Sequence, residues 1–278
     1  QDERQSDNIE DRRGVSRGKI AIGGGLGGLA VLVIALLLGV NPQSLFEQLP
    51  NDGSAPGVSR SANPNEEELK QFVSVVLAKS EDVWQDIFRK NGRQYREPKL
   101  VLFRDVVRSA CGTSDSAVGP FYCPADEKVY IDLAFYEELR RRFEAPGDFA
   151  QAYVVAHEVG HHVQKLLGIS DKVTAMQRRM NETDANRLSV RLELQADFFA
   201  GVFARYVKEK GLLDPGDIEE ALTAASAIGD DKIQRRTSGY VVPDSFTHGT
   251  SEQRLRWFRK GYETGDMNQG DTFSAQDL

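Results

Sequence analysis

His157-Glu158-Val159-Gly160-His161 is an H-E-x-x-H run within a stretch that reads as helix. The chain has four histidines, and three of them, His157, His161 and His162, lie in or beside this run. A helix turns about 100° per residue, so positions four apart sit one above the other on one face. His157 and His161 can therefore offer two imidazoles to a single Zn²⁺, with Glu158 placed beside the metal's water as a base. His162 lies about 100° round the helix from His161, which points to a structural part for it. Tyr153, four residues before His157, is expected to pack in the core. A histidine-rich amphipathic helix can also produce so short a motif by chance, so the remaining ligand has to be found elsewhere.

A catalytic zinc takes three protein ligands and keeps one open position. A third histidine at the close spacing H-E-x-x-H-x-x-G-x-x-H is ruled out, because Gln164 and Leu167 occupy the relevant positions. The alternative is a carboxylate on a later helix. Glu193-Leu194-Gln195-Ala196-Asp197 places two acids four residues apart, on one face, among Leu192, Leu194, Ala196, Phe198 and Phe199. Unpartnered acids in such apolar company are expensive. Glu193 is the expected metal ligand, with Glu182 and Asp197 as alternatives. Asp197 is expected to accept the free ring N–H of a ligand histidine and fix its tautomer.

These residues need elements to hold them. Asp148 is the expected N-cap of the helix bearing His157 and His161, which should end near Gly168. Ser189–Lys210 reads as a second long helix closed by Gly211. Helices are also expected over 66–90, 218–227 and 252–261, and strands over 100–103, 118–123 and 128–133, the last two joined by Pro124-Ala125-Asp126. Helix, strands and then several helices make an α+β pattern. The boundaries read as a charged tail over 1–19, an apolar segment over 20–40, a linker over 41–63, one domain over 64–264 and a polar tail over 265–278.

Ile20–Val40 runs 21 residues without a charge, which at 1.5 Å per residue covers about 30 Å, the thickness of a bilayer core. Arg12, Arg13, Arg17 and Lys19 precede it, and no Lys or Arg occurs over Asn41–Asp52. That bias predicts a single-pass anchor with the N-terminus cytoplasmic and the domain outside. Outside the cytoplasm the two cysteines, Cys111 and Cys123, can hold a disulfide. A net charge of −7, with no basic patch interleaved with aromatics, argues against nucleic-acid binding.

The runs His157–Gln164 and Glu193–Asp197 together resemble the bacterial neutral zinc metallopeptidase family, a membrane-anchored, gluzincin-like group. Ser6-Asp7-Asn8-Ile9-Glu10-Asp11-Arg12-Arg13-Gly14, Gly119–Pro124, Val129–Asp132, Gly229-Asp230-Asp231, Thr247-His248-Gly249 and Gln253-Arg254 carry the same resemblance. It implies a zincin fold, a zinc cofactor and hydrolysis of peptide bonds. By analogy with the late active-site histidine of gluzincins, His248 is the candidate donor to the developing oxyanion. Arg254 is expected to orient that loop or pair with an acid. The strand containing Phe121 is the expected edge on which an extended peptide lies. The competing reading is a catalytically silent domain of the same shape, acting as a scaffold in the cell envelope.

Overall fold

The computed structural model describes residues 3–14, 64–115, 119–145 and 147–278. Helix α1, Pro64–Lys90, opens with Glu66 and Glu67 and closes with Arg89 and Lys90, complementing the helix dipole at both ends. Strand β2, Lys99–Phe103, alternates two buried sets. Leu100 and Leu102 join the main core, while Val101 and Phe103 join a smaller cluster with Val107, Cys123 and Tyr130. A strand covered on both faces belongs inside a sheet, and its unbroken apolar run reflects that.

The four-stranded sheet has the order β1-β2-β6-β5, where β1 is Ile9–Asp11, β5 is Phe121–Cys123 and β6 is Lys128–Asp132. β1, β2 and β6 run parallel, and β5 pairs antiparallel with β6 across the tight turn after Cys123. Strands β3, Val106–Ser109, and β4, Gly112–Asp115, make a separate hairpin. The sequence periodicity does not reveal this hairpin, because β4 is polar and contains no β-branched residue except Thr113.

Helix α2, Ala134–Arg141, leads to α3, Asp148–Leu166, and α4, Ile169–Gln177. Helices α5, Glu182–Glu209, α6, Asp217–Ala227, α7, Asp230–Ser238, and α8, Ser251–Thr264, complete the domain. α3 is buried along most of its length between the sheet side and α5. Trp84 and Phe88 of α1, Val155 and Val159 of α3, Phe198 and Phe199 of α5 and Phe258 of α8 share one core. The product is a mixed α+β domain with a small sheet and a majority of helices.

Several sequence expectations change here. Asp148 is the first helical residue of α3 and not its cap. Gly147 stands at the cap position, and the side chain of Glu220 accepts the Phe149 N–H instead. α5 begins at Glu182, seven residues ahead of the expected start, because Asn181 caps it by accepting the Asp184 N–H. The segment 265–278 is not a frayed tail. Thr272 is fully buried, its hydroxyl donates to Arg191 O at 2.7 Å, and Gln195 Nε2 donates to Gly270 O at 2.7 Å.

The largest change concerns the N-terminal segment. β1 comes from residues expected to be a separate tail across a membrane from the domain, yet it forms the outer strand of the domain's own sheet. The apolar segment 20–40 and the linker 41–63 lie outside the described residues. Among the described residues, no helix is long and apolar enough to cross a membrane.

Cys111, in the β3–β4 turn, and Cys123, at the end of β5, are joined in a disulfide with Cα atoms 5.8 Å apart. The bridge fastens the hairpin to the edge strand. Replacing both cysteines by serine is expected to cost about 3 kcal/mol of stability by the chain-entropy argument. Chemical denaturation of the double variant against the oxidised protein measures this. The metal site should survive, since no cysteine lies near it.

Candidate metal centre

Two long helices build the site, and a glycine lets them meet. A Cβ on Gly160 would lie 2.9 Å from the Ala196 carbonyl oxygen and 3.1 Å from its Cα, so α3 and α5 approach more closely than any side chain allows at that point. The close approach carries Glu193 to the His157–His161 face. His157 Nε2 lies 3.1 Å from Glu193 Oε2, and His161 Nε2 lies 3.4 Å from Glu193 Oε1. One donor atom from each of the three residues falls within 4.8 Å of the others. At a ligand distance of about 2.0–2.1 Å, two corners of a zinc tetrahedron stand about 3.3 Å apart. The observed separations match that edge, so the residues present fit a zinc ion.

The other ring nitrogens are committed, which fixes the tautomers. Asp197 Oδ1 accepts from His157 Nδ1 at 2.9 Å, so Nε2 is the ring nitrogen turned to Glu193. Gln164 does the same for His161. Its Nε2 donates to Leu192 O at 2.6 Å, which turns Oε1 towards His161 Nδ1 at 2.9 Å. Such outer hydrogen bonds orient the ligands and raise their basicity.

Asp197 is fully buried and held by three neighbours. Arg254 Nε pairs with its Oδ2 at 2.9 Å, and the Tyr153 hydroxyl donates to its Oδ1 at 2.5 Å. Arg254 Nη2 also reaches Oδ1 at 3.0 Å. A lone buried carboxylate would protonate. Burial does push the Asp197 pKa up, but the Arg254 and His157 charges override it and hold it below the ordinary value. The His157–Asp197–Arg254 chain thus keeps an acceptor charged beneath the ligand ring. Gly261 on α8 permits this approach, since a Cβ there would lie 2.0 Å from the Phe198 carbonyl oxygen.

Burial disfavours the charged form of His157, but Asp197 and Glu193 outweigh it and raise its pKa to about 10. Burial opposes ionisation of Glu193 as well, and the His161 and His157 rings reverse the effect and hold its carboxyl well below the usual range. Without an ion, protons neutralise the cluster. An incoming cation displaces them, so its affinity falls as the pH is lowered.

Glu158 lines the same cleft as His157 and His161 and takes part in none of the described hydrogen bonds. Burial raises its pKa, against the pull of His161 and His157. His248 lines the cleft too, with its side chain 37% exposed. Asp230 builds the loop that presents it. Asp230 Oδ2 accepts the backbone N–H groups of Thr247, His248 and Gly249 at 2.8, 2.7 and 3.1 Å. Its Oδ1 lies 3.2 Å from His248 Nδ1, leaving Nε2 for the cleft. Asp231 fastens the start of α8 by accepting from the Ser251 N–H at 2.7 Å. The cleft has a volume of about 440 Å³. Gly119–Tyr122 of the edge-strand region line it, and Phe135, Phe143, Val154 and Ile233 add apolar lining.

His157, His161, Glu193, Asp197, Glu158 and His248 are therefore brought to one cleft. Glu182, the alternative ligand, stands at the start of α5 and is not in the cluster. His162 points away from the site. It donates from Nε2 to Arg96 O at 2.6 Å and accepts the Tyr122 hydroxyl at Nδ1 at 2.9 Å. The anchoring roles of Gln164 and Asp230 are not evident from sequence spacing. Gln164 does lie three residues after His161 on one helix, and that geometry could have flagged it.

Two imidazoles and one carboxylate, converging across two helices on an open cleft, define a metalloprotein with a zinc-type donor set. The chain belongs to the family described as "Putative neutral zinc metallopeptidase", which it matches over residues 1–273. That family implies a zinc cofactor and peptide or protein substrates. The chain is 50% identical to "Uncharacterized protein YpfJ" of Escherichia coli strain K12 over 281 aligned residues, covering 98% of each chain. It is 43% identical to "Uncharacterized protein Mb2605" of Mycobacterium bovis over 262 residues, covering 88% of this chain and 86% of that one. No solved structure matches.

Proposed function

We propose that this protein is a zincin-like zinc endopeptidase of the cell envelope, with the metal held by His157, His161 and Glu193 and with Glu158 as general base. The observation that carries this reading is the convergence of the three donors on the cleft that Glu158 also lines. When bound, zinc supplies a Lewis acid for the scissile carbonyl and acidifies a water. Glu158 takes the proton of the attacking water and hands it to the leaving amine. His248, held by Asp230, donates to the oxyanion as it forms. The edge strand β5 offers backbone groups to an extended substrate, and its Phe121 and Tyr122 line the cleft.

The disulfide supports a domain on the oxidising side of the envelope. Membrane association through Ile20–Val40 belongs to the same proposal and rests on that segment's composition. A domain of this shape without activity is the alternative, and hydrolysis separates the two. The test is cleavage of an unfolded protein by the purified full chain, abolished by a chelator and restored by zinc. Zinc binding without cleavage of any polypeptide would replace the enzyme reading with the scaffold reading.

The His248–Asp230 pair predicts a pH effect. Burial lowers the His248 pKa, whereas Asp230 and Glu193 raise it and Arg254 opposes them, with a net rise above the ordinary histidine value. The donor must be protonated, so activity persists to a higher pH than an ordinary histidine would permit and is lost as the pH climbs through the raised pKa. Binding of a cation neutralises the contribution of Glu193 but leaves that of Asp230. Asp230→Asn is therefore expected to move the alkaline limb of kcat to lower pH, with the acid limb unchanged. A pH–rate profile of the variant checks this, and an unmoved alkaline limb removes His248 from the role.

A further inference from the structure

We infer that residues 3–14 lie on the same side of any membrane as the metal centre. This inference does not depend on the peptidase reading.

The domain carries a built receptor for the segment. The Glu81 side chain on α1 is 2% exposed. Its described partners are the Ser6 hydroxyl, Asn8 Nδ2 at 3.0 Å and Arg4 Nη1 at 3.0 Å, all from the N-terminal segment. The segment thus both covers Glu81 and supplies its described partners, so the burial of this carboxylate and its pairing depend on the segment being docked. The backbone makes the same point. Leu100 N–H donates to Asn8 O at 2.8 Å, and Arg12 N–H donates to Leu102 O at 2.8 Å. Without β1, the edge of β2 would be an open row of donors and acceptors beside a strand that is otherwise buried.

The basic residues ahead of Ile20 also read differently once they are placed. Arg13 is 7% exposed and pairs with Asp11 and with Glu67 at 2.7 Å, and Arg12 pairs with Glu10. Arg12 and Arg13 thus take part in ion pairs of the folded unit itself. Arg13 also reaches Glu66 in the first turn of α1 at 3.3 Å. Residue 14 and residue 64 therefore leave the domain close together. A single crossing between them would put β1 and β2 on opposite sides of the bilayer and break every one of these contacts.

The test uses the full chain in the membranes of cells that express it. Both native cysteines are paired, so Asp7→Cys or Tyr240→Cys gives a unique thiol. Asp7 is exposed and Tyr240 is 66% exposed. A membrane-impermeant maleimide, applied before and after permeabilisation, is expected to label both positions together or leave both protected. Labelling of one position and protection of the other in intact cells would overturn the inference. Docking itself is read by a zero-length carbodiimide, which should join Asp11 to Lys70, 3.0 Å apart. A cross-link that forms after detergent solubilisation and never in native membranes would also overturn it.

Discussion

Glu158→Gln is expected to lower kcat/KM for peptide hydrolysis by about 10²–10⁴-fold, the range of a positioned general base, which corresponds to about 3–5 kcal/mol of transition-state stabilisation. Zinc content should not change. The substitution keeps the shape and removes only the proton-accepting charge, and among the described residues Glu158 makes no hydrogen bond to His157, His161 or Glu193. Burial raises the carboxyl's pKa and moves it towards the range in which a base works best. Paired measurements of zinc stoichiometry and turnover isolate the effect. Equal turnover in the two proteins would remove Glu158 from the chemistry, and loss of zinc together with activity would give it a ligand role instead.

Glu193→Gln should abolish zinc binding at physiological concentrations. Loss of a residue that merely orients a ligand costs about 10–100-fold in affinity, and Glu193 is placed to bind directly and to carry the site's compensating charge, so its loss should exceed that range. The donor set would keep two imidazoles and an amide oxygen, with one negative charge fewer beside the cation. A bound ion stabilises the fold by mass action, about 4 kcal/mol when present at a thousandfold excess over its Kd. The parent's melting temperature should therefore rise on zinc addition, and the variant's should not. Metal analysis after dialysis and thermal melts with and without zinc provide two independent readings. Full zinc retention by the variant would move the third ligand elsewhere, and Asp197 and Glu182 were the alternatives in sequence. Asp197 is a poor substitute in the fold, because Arg254, Tyr153 and His157 already occupy its oxygens.

Residues related by helical periodicity were legible before any fold was known. The four-residue step between His157 and His161 fixes their common face, and the same step joins Glu193 to Asp197, because helix geometry is local. The helices bearing them, the strands 99–103 and 128–132 and the tight turn between β5 and β6 follow from local apolar patterns and turn residues. Three kinds of feature lay beyond that reach. Strand β4 of the β3–β4 hairpin and helix α7 are too polar to show a periodicity. The C-terminal segment looks solvated by composition, yet it satisfies Gln195 and Arg191 on α5.

β1 is the clearest case of the third kind. Its composition, charged and polar ahead of an apolar run, reads locally as a cytoplasmic flank. Its fate depends on Glu81 and β2, which lie some 70 to 90 residues further along the chain. Composition and spacing by themselves determined the chemistry available to this protein, namely two imidazoles, one base and a nearby pair of acids, since that information repeats within a single turn of helix. Only the tertiary structure decided which acid faces the rings, that Gln164 and Asp230 hold His161 and His248, and that the first residues belong to the sheet. Those choices are made by contacts between segments distant in sequence, where burial energy and the need to pair every buried polar group outweigh local preference.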